Sequence, residues 1–202
     1  MTDRNEPWRH TATELAAMIR SGETTSRAVI EAHLERIAAV NPRVNAITRA
    51  LGESALAAAD AADASEPRGP LHGVPFTIKE NIDLTGTPTT QGVPALAEMT
   101  AEVDAPVVER MKAAGAIPLA RTNLPEFGMR ISTVNPLHGR TFNPWDRTRV
   151  AGGSSGGEGS ALANGMTPIG LGNDIGGSLR NPAYCNGIAS LKPTTGRIPH
   201  YM

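Results

Sequence analysis

Apolar residues that recur at helical spacing predict three helices in the first third of the chain. The first begins at Thr11, where Glu14 completes a capping pattern three residues later, and it is expected to end near Gly22. The second is expected to be capped by Thr25 or Ser26 and to end near Asn41 and Pro42, because proline interrupts a helix. The alanine-rich stretch 52–64 predicts the third helix.

From residue 67 onward, short apolar runs alternate with amphipathic segments. The run 74–78 ends at Lys79 and predicts a buried strand. A helix over 104–114 then leads into a second strand over 116–120. Further along, we expect a helix over 157–164 and extended segments over 167–171 and 187–191. Strands that alternate with helices predict an α/β fold with a mixed, largely parallel sheet core flanked by helices.

The composition of the chain changes near residue 66. Of its 21 glycines, only Gly22 and Gly52 precede residue 67. We therefore predict an N-terminal helical segment over 1–66. The part over 67–202 is expected to be rich in loops, where binding and catalytic groups concentrate.

Charge and composition favour a small molecule as the ligand. The 19 basic and 20 acidic residues give a net charge of −1, which provides no one-sign field for nucleic acid or an anionic membrane. Aromatic residues make up only 3% of the chain, too few for a base-stacking surface. A single cysteine and the lack of an 18-residue apolar run predict a cytoplasmic protein with no membrane contact.

Two serines lie in separate glycine-rich segments and carry the strongest chemical signal in the sequence. Ser154 lies within Gly152–Gly157, and Ser178 lies within Gly172–Arg180. Glycine allows the backbone to approach a ligand closely, so a serine among glycines can lie beside N–H donors that converge on one point. Acyl transfer requires such a nucleophile together with an oxyanion hole.

Two other interpretations of the first glycine-rich segment have less support. A phosphate-binding loop would need Lys and then Ser or Thr after its last glycine, whereas Gly157 is followed by Glu158, whose charge would repel phosphate. The G-x-S-x-G pattern also fits a hydrolase with a Ser–Asp–His triad. Asp174 and His200 follow in the required order, but both come very soon after the serine.

Cysteine and metal chemistry have little support in the sequence. Cys185 has no adjacent cation to lower its thiol pKa, and the five histidines show no metal-ligand spacing. We therefore expect a structural thiol, no metal and no cofactor. A lysine can instead activate a serine, because burial disfavours its charged form. Lys79 ends a buried run and is the candidate, with a strand-end lysine in solvent as the alternative.

Six segments resemble the amidase signature family of serine hydrolases, in the order in which the family has them. They are 73–81, 121–127, 143–145, 153–157, 174–180 and 191–197. The resemblance implies that family's α/β fold and a Ser–cis-Ser–Lys triad. Ser178 would be the nucleophile and Lys79 the base, which favours burial of that lysine. Ser154 would relay the proton after a cis Gly153–Ser154 bond.

The resemblance implies further roles around the nucleophile. The backbone N–H groups expected to form the oxyanion hole belong to Ile175, Gly176, Gly177 and Ser178. Three residues would support the site: Ser155, by a hydrogen bond near the relay or by holding its loop, and Asp174 and Arg180, by bracing the nucleophile loop or by contacting substrate. Asn173 departs from the Thr or Ser that is common at its position in the family.

The activity implied is hydrolysis of a small-molecule carboxylic amide to a carboxylate and ammonia or an amine. Two alternatives stay open: the amidase subunit of a tRNA-dependent amidotransferase, and an inactive truncated paralogue. Family members are more than twice as long, so 67–202 would be the N-terminal part of the catalytic core, with the C-terminal part absent. We expect residues 1–202 alone to be poorly stable, and to need that missing portion or to form a homo-oligomer.

Overall fold

The computed structural model describes residues 6–199, and its core is a four-stranded sheet. In chain order the strands are β1 (Ile47–Ala50), β2 (Pro75–Lys79), β3 (Ile117–Thr122), β4 (Val134–Asn135), β5 (Gly139–Arg140) and β6 (Gly170–Leu171). The core sheet has the order β1-β3-β2-β6, while β4 and β5 form a separate hairpin. β2 runs parallel to both neighbours and β1 pairs antiparallel with β3. The predicted mixed, largely parallel sheet is confirmed.

Helices flank this sheet, as the sequence predicts. In the described part of the chain they are α1 (Ala12–Ser21), α2 (Ser26–Val44), α3 (Gly52–Asp63), α4 (Pro106–Ala113), α5 (Gly156–Ala163) and α6 (Arg180–Asn186). The first five correspond to predicted helices, whereas α6 was not predicted. Over residues 6–199, no helix is long and apolar enough to cross a lipid bilayer.

The ends of α1 show how local sequence sets helix boundaries. The Glu14 N–H donates to the Thr11 hydroxyl at 3.3 Å, and the Glu14 carboxylate accepts the Thr11 N–H at 2.7 Å. These two bonds satisfy backbone groups that the first turn leaves free. Gly22 ends the helix in the left-handed conformation, with φ of 75°, which glycine adopts without steric cost. The predicted bounds of α1 are confirmed.

The predicted end of α2 is wrong, because the helix continues through Pro42 to Val44. Asn45 then adopts the left-handed conformation, with φ of 51°, and donates its N–H to the Asn41 carbonyl at 2.8 Å. The Asn41 side-chain oxygen accepts the N–H groups of the next two residues after Asn45. The chain therefore satisfies its backbone at the helix end, and the hydrogen bond that proline cannot donate is tolerated in the last turn.

Apolar packing determines which side chains of β2 face the functional site. Ile78 lies in a buried cluster with Val108 of α4 and Phe76. Because side chains alternate along a strand, Thr77 and Lys79 point to the other face of the sheet. A second cluster, on α2, α3, β1 and β3, extends to α5. Lys79 thus lies on a buried face between the sheet and α5.

The predictions for the last third of the chain are wrong in two places. The extended segment 167–171 is a strand only over its last two residues, which form β6 and pair with β2. The segment 187–191 contains no strand. Gly187 ends α6 with φ of 70°, and within residues 6–199 no strand lies alongside the residues that follow. A strand needs a paired neighbour to be stable, and an apolar pattern alone does not supply one.

Candidate active site

Lys79 lies at the carboxyl end of β2, the strand with a parallel neighbour on each side. Its side chain is fully buried, and its Nζ atom lies 2.7 Å from both Ser154 Oγ and Asn173 Oδ1. Burial lowers the pKa of Lys79 to about 7, and the charges of Glu158 and Asp174 oppose that shift. At neutral pH a large share of this lysine is therefore uncharged and able to accept a proton.

Ser154 follows a cis Gly153–Ser154 peptide bond, the geometry that the resemblance implies. Its side chain is buried beneath the neighbouring loop. Only glycine fits before it, because a Cβ on Gly153 would lie 2.4 Å from the Arg130 carbonyl oxygen. The Gly153 N–H donates to Asn181 Oδ1 at 3.0 Å, which attaches this turn to α6. These contacts hold the Ser154 hydroxyl against Lys79.

Ser178 lies in the segment 172–179, which connects β6 to α6, and it is half-buried. Its carbonyl oxygen accepts the N–H of Ser155 at 3.1 Å. That bond joins the two glycine-rich segments, so the structure brings Ser154 and Ser178 into one site. Over residues 6–199, the Ser178 side chain has no hydrogen-bond partner, which leaves its hydroxyl available to a ligand.

The Asp174 carboxylate organises the loop that carries Ser178. It accepts the N–H groups of Gly177, Leu179 and Arg180 at 2.7, 3.0 and 3.3 Å. The Arg180 guanidinium adds two hydrogen bonds, at 3.0 and 2.9 Å. The Arg180 bonds are the main cause that holds the pKa of Asp174 well below its usual range, so this carboxylate is charged at neutral pH. Asp174 therefore pairs with Arg180 where the loop that carries Ser178 joins α6.

The four N–H groups predicted for an oxyanion hole are not equivalent. The Gly177 N–H is already bound to Asp174. Within the described residues, the N–H groups of Ile175, Gly176 and Ser178 have no acceptor. The Ile175 side chain is fully exposed, and a Cβ on Gly176 or Gly177 would meet nothing within 4 Å. This part of the loop is therefore open to an incoming group.

Ser155 directly follows Ser154 in the chain. It is fully buried, and its hydroxyl has no hydrogen-bond partner in the part of the chain that the structure describes. It borders a cavity of about 460 Å³ that is lined by residues of β6, α5 and the segment 188–198. Its backbone N–H, rather than its hydroxyl, makes the contact with Ser178.

Two residues beside Lys79 carry no functional signal in the sequence. The Asn173 side chain accepts a hydrogen bond from Lys79, although its position matters in the sequence only as a departure from the family pattern. Glu158 is buried and accepts the hydroxyl groups of Thr77 at 2.6 Å and Thr122 at 2.8 Å. The i, i+2 spacing of Thr77 and Lys79 in a buried strand is the one pattern that could have indicated a polar face here.

The other chemistries fit the described residues less well. The Asp174 carboxylate is occupied by Arg180 and the backbone, while His200 lies outside residues 6–199. Cys185 is half-buried on α6, and burial raises the pKa of its thiol. Within residues 6–199, no group of three or more His, Cys, Asp or Glu side chains is placed to hold a metal ion.

The fold and these contacts define a class of proteins in which a buried lysine, rather than a histidine, lies beside a serine framed by glycines. The profile of one family, Amidase, matches residues 28–202. The chain belongs to this family. Its members supply the known proteins against which the chain can be compared.

Two curated relatives and one solved structure illustrate the similarity. Indoleacetamide hydrolase of Bradyrhizobium diazoefficiens is 54% identical over 198 residues, which cover 96% of this chain and 38% of the relative. The glutamyl-tRNA(Gln) amidotransferase subunit of Acidothermus cellulolyticus is 45% identical, with 96% and 39% covered. Fatty acid amide hydrolase superposes with a TM-score of 0.86 at 30% identity, covering 91% of this chain and 33% of that structure. The chain thus spans less than half the length of these relatives.

Proposed function

We propose that this protein hydrolyses a carboxylic amide through an acyl-enzyme on Ser178. The observation that carries the proposal is the 2.7 Å contact between Nζ of buried Lys79 and Ser154 Oγ, beside the loop that holds Ser178. Burial favours the uncharged form of a lysine, which can accept a proton. A serine in contact with that lysine can transfer a proton to it from a second hydroxyl group. Membership of the Amidase family supports the same reaction.

In the first half-reaction, Ser178 Oγ attacks the carbonyl carbon of the amide. Its proton passes to Ser154 Oγ while the Ser154 proton passes to Lys79 Nζ, so one proton is moved and Lys79 becomes an ammonium. The carbonyl oxygen becomes an oxyanion. The proposed donors to it are the free N–H groups of Ile175, Gly176 and Ser178, and each well-placed donor contributes about 3 kcal/mol.

The relay then runs in reverse to complete acylation. The Lys79 ammonium returns its proton through Ser154 to the leaving nitrogen, and the C–N bond breaks to leave an acyl group on Ser178. Water then attacks the acyl carbon and gives a proton through Ser154 to Lys79. The bond between the acyl carbon and Ser178 Oγ breaks, the relay returns the proton to Ser178, and the carboxylic acid leaves. Asp174 and Arg180 are proposed to hold the nucleophile loop in shape, and the backbone of Ser155 to hold it against the relay.

A serine-directed fluorophosphonate tests this assignment without knowledge of the substrate. We expect the wild-type chain to be labelled at Ser178 and the Ser178→Ala variant to remain unlabelled in intact-mass spectra. Lys79→Ala should slow labelling by about a hundredfold or more, since the base is lost. Lys112→Ala is the matched control, because Lys112 is an exposed lysine that pairs with Asp104. Labelling that persists in Ser178→Ala would refute the assignment of Ser178 as the nucleophile.

A second candidate function is the amidase subunit of a tRNA-dependent amidotransferase, which the amidotransferase relatives favour. A full-length form that hydrolyses indole-3-acetamide or another simple amide without partners supports the amidase. Glutaminase activity that appears only with partner subunits and charged tRNA supports the second candidate. A full-length form whose Ser178 resists the fluorophosphonate would instead be an inactive paralogue.

The domain division, partners and location are part of the same proposal. We propose 67–202 as the N-terminal part of the catalytic core and 1–66 as a helical segment that adds β1 to the core sheet. The proposed partners are a small-molecule amide and either the C-terminal portion of the family domain or a second copy of the chain. The single cysteine supports a cytoplasmic location.

A further inference from the structure

A carboxylate that the proposed mechanism does not use is buried beside the relay. Glu158 projects from the first turn of α5 and accepts the hydroxyl groups of Thr77 at 2.6 Å and Thr122 at 2.8 Å. The two threonines belong to β2 and β3, so the carboxylate lies against the two inner strands of the sheet. Gly170 of β6 leaves room for it, because a Cβ there would lie 2.1 Å from Glu158 Oε2.

The same two threonines place Glu158 near Lys79. Thr77 precedes Lys79 by two residues in β2, so both side chains point to one face. Thr122 is the register partner of Lys79 in β3. Within residues 6–199, neither Lys79 nor Glu158 forms an ion pair. The two groups are therefore neighbours on one buried face without direct contact.

We propose that Glu158 is a positioning residue that sets the basicity of Lys79 and stabilises the ammonium that forms during proton relay. The proposal rests on the proposed amidase function, because it gives Glu158 a part in the same relay. Glu158 touches neither the substrate nor the nucleophile, and no proton has to leave it. Its charge acts on Lys79 through the buried polar face that the two residues share.

The charged groups around Lys79 differ in how far they are neutralised. Asp174, from the nucleophile loop, is bound by two hydrogen bonds from the Arg180 guanidinium, which offset its charge. Glu158, from α5, is bound only by neutral hydroxyl groups, and the positive charges that act on it are Lys79 and, from β3, Arg121. Burial raises the pKa of Glu158 to about 7, and the charges of Lys79 and Glu158 each favour the charged form of the other.

Glu158 acts at the stage of the relay at which Lys79 carries a positive charge. Attack by Ser178 sends one proton through Ser154 to Lys79, which becomes an ammonium inside the protein. A negative charge near a buried ammonium lowers the free energy of the charged form. When Lys79 returns the proton to the leaving nitrogen, its charge disappears and Glu158 remains as it was. The Glu158 carboxylate thus stabilises the intermediate in which Lys79 is an ammonium.

Lysine titration tests the proposal directly, because the chain has only three lysines, Lys79, Lys112 and Lys192. Selective ¹³C labelling of lysine lets NMR follow Lys79 through a pH titration of the whole chain, and Lys79→Met identifies its signal. Glu158→Gln removes the charge and keeps the shape, so we expect the Lys79 midpoint to fall by about one pH unit. An unchanged or raised midpoint would overturn the proposal.

A matched control and a second variant keep this test decisive. Glu53→Gln makes the same charge change at an exposed position on α3 and should leave the Lys79 midpoint in place. If Glu158→Gln does not fold, Thr122→Val removes one hydroxyl donor and so raises the pKa of Glu158. Less Glu158 is then charged, and the Lys79 midpoint should fall by a smaller amount, about half a pH unit. A midpoint that stays fixed in Thr122→Val counts equally against the proposal.

The pH dependence of fluorophosphonate labelling distinguishes this proposal from the proposed function. In the wild type, the rate should rise with pH through the Lys79 midpoint. In Glu158→Gln, the rise should begin at lower pH and level off about threefold lower, because the lysine is a weaker base. A purely structural role would lower the rate without moving the midpoint. A shifted NMR midpoint in a chain that is never labelled contradicts the proposed function alone, whereas normal labelling with a fixed midpoint contradicts the role of Glu158 alone.

Discussion

The chemistry of single residues in this site depends on a lysine whose direct partners are neutral. Nζ of Lys79 contacts a hydroxyl and an amide oxygen rather than a carboxylate, so no ion pair holds its proton in place. An arginine at this position would stay protonated, because its guanidinium does not lose its charge in proteins. Only three of the 19 basic residues are lysines, and one of them occupies this buried position.

Asn173→Asp should raise the pH at which the site becomes active. A carboxylate 2.7 Å from Nζ would favour the ammonium form of Lys79 and raise its pKa. The acid limb of fluorophosphonate labelling should therefore move up by about one pH unit, with labelling at pH 7 falling about fivefold. Asn173→Ser removes the amide without adding charge, so it should change the rate without the upward shift. An unmoved limb in Asn173→Asp would contradict the prediction.

Local sequence predicts some of these residues and not others, for a physical reason. Ser154 and Ser178 stand in glycine-rich segments, where the requirement for close backbone approach is visible in the segment itself. Glu158 is different, because its burial arises when α5 packs on Thr77 and Thr122, which lie 81 and 36 residues away. Its environment is created by the fold and leaves no mark on its own segment.

Among the elements, the loop 172–179, which carries the proposed nucleophile Ser178, depends on one side chain. Asp174 binds three backbone N–H groups and the guanidinium of Arg180. The side chain is fully shielded from solvent, whereas Arg180 remains exposed. The carboxylate thus holds the loop from inside, and Arg180 holds the carboxylate from outside.

Asp174→Ala should therefore impair the loop more than Arg180→Ala does. The first change frees three N–H groups, including that of Gly177, and we expect labelling of Ser178 to slow about tenfold or more. The second leaves the backbone bonds to Asp174 intact and should slow labelling only a few-fold. Second-order labelling rates with the fluorophosphonate measure both effects. Equal losses in the two variants would show that Arg180 itself orders the loop.

The contact between β6 and α5 predicts that Gly170 resists substitution. In Gly170→Ala the new Cβ would lie 2.1 Å from Glu158 Oε2, so either the strand or the carboxylate must shift. We expect a loss of about 1–3 kcal/mol in the free energy of unfolding, measured in urea. Gly52→Ala is the control, since its Cβ would make ordinary contacts of 3.7 and 3.8 Å with Leu34 at the start of α3. Equal stability of the two variants would contradict the prediction.

The elements themselves were predictable where their pattern is local. Helical periodicity and capping placed α1, the alanine-rich composition of 52–64 placed α3, and the apolar run 74–78 placed β2. The other strands of the core sheet depend on strand pairing. β1 forms where it pairs with β3, and β6 is limited to the two residues that pair with β2. The residues after Gly187 have apolar character but no neighbouring strand among those described, so they form none.

At the scale of the whole molecule, one edge of the sheet is close to exposed apolar side chains. β2 and β3 lie inside the sheet, whereas β1 and β6 are its edges. Leu191 and Ile198, which line the same cavity as Gly170 and Leu171 of β6, are 81% and 47% exposed. A strand edge close to exposed apolar side chains favours association with another polypeptide.

We predict that the 202-residue chain associates with itself as its concentration rises and unfolds below about 45 °C. The physical reason is the apolar surface beside β6, which association would remove from water. Light scattering during size-exclusion chromatography measures the mass, and Leu191→Ser should reduce association by removing one exposed apolar side chain. A monomer at every concentration, with a cooperative transition at higher temperature and robust amide turnover, would contradict the prediction.

The proposed base and the proposed nucleophile lie in backbone segments of unequal stability. Lys79 belongs to a strand paired on both sides, while Ser178 belongs to a loop held mainly through one carboxylate. Segments with few backbone hydrogen bonds open at lower free energy than the core of a sheet. Mild denaturant should therefore open the loop that carries Ser178 before it unfolds β2, the strand that carries Lys79. Reclosure of the loop would then restore the site without refolding the protein.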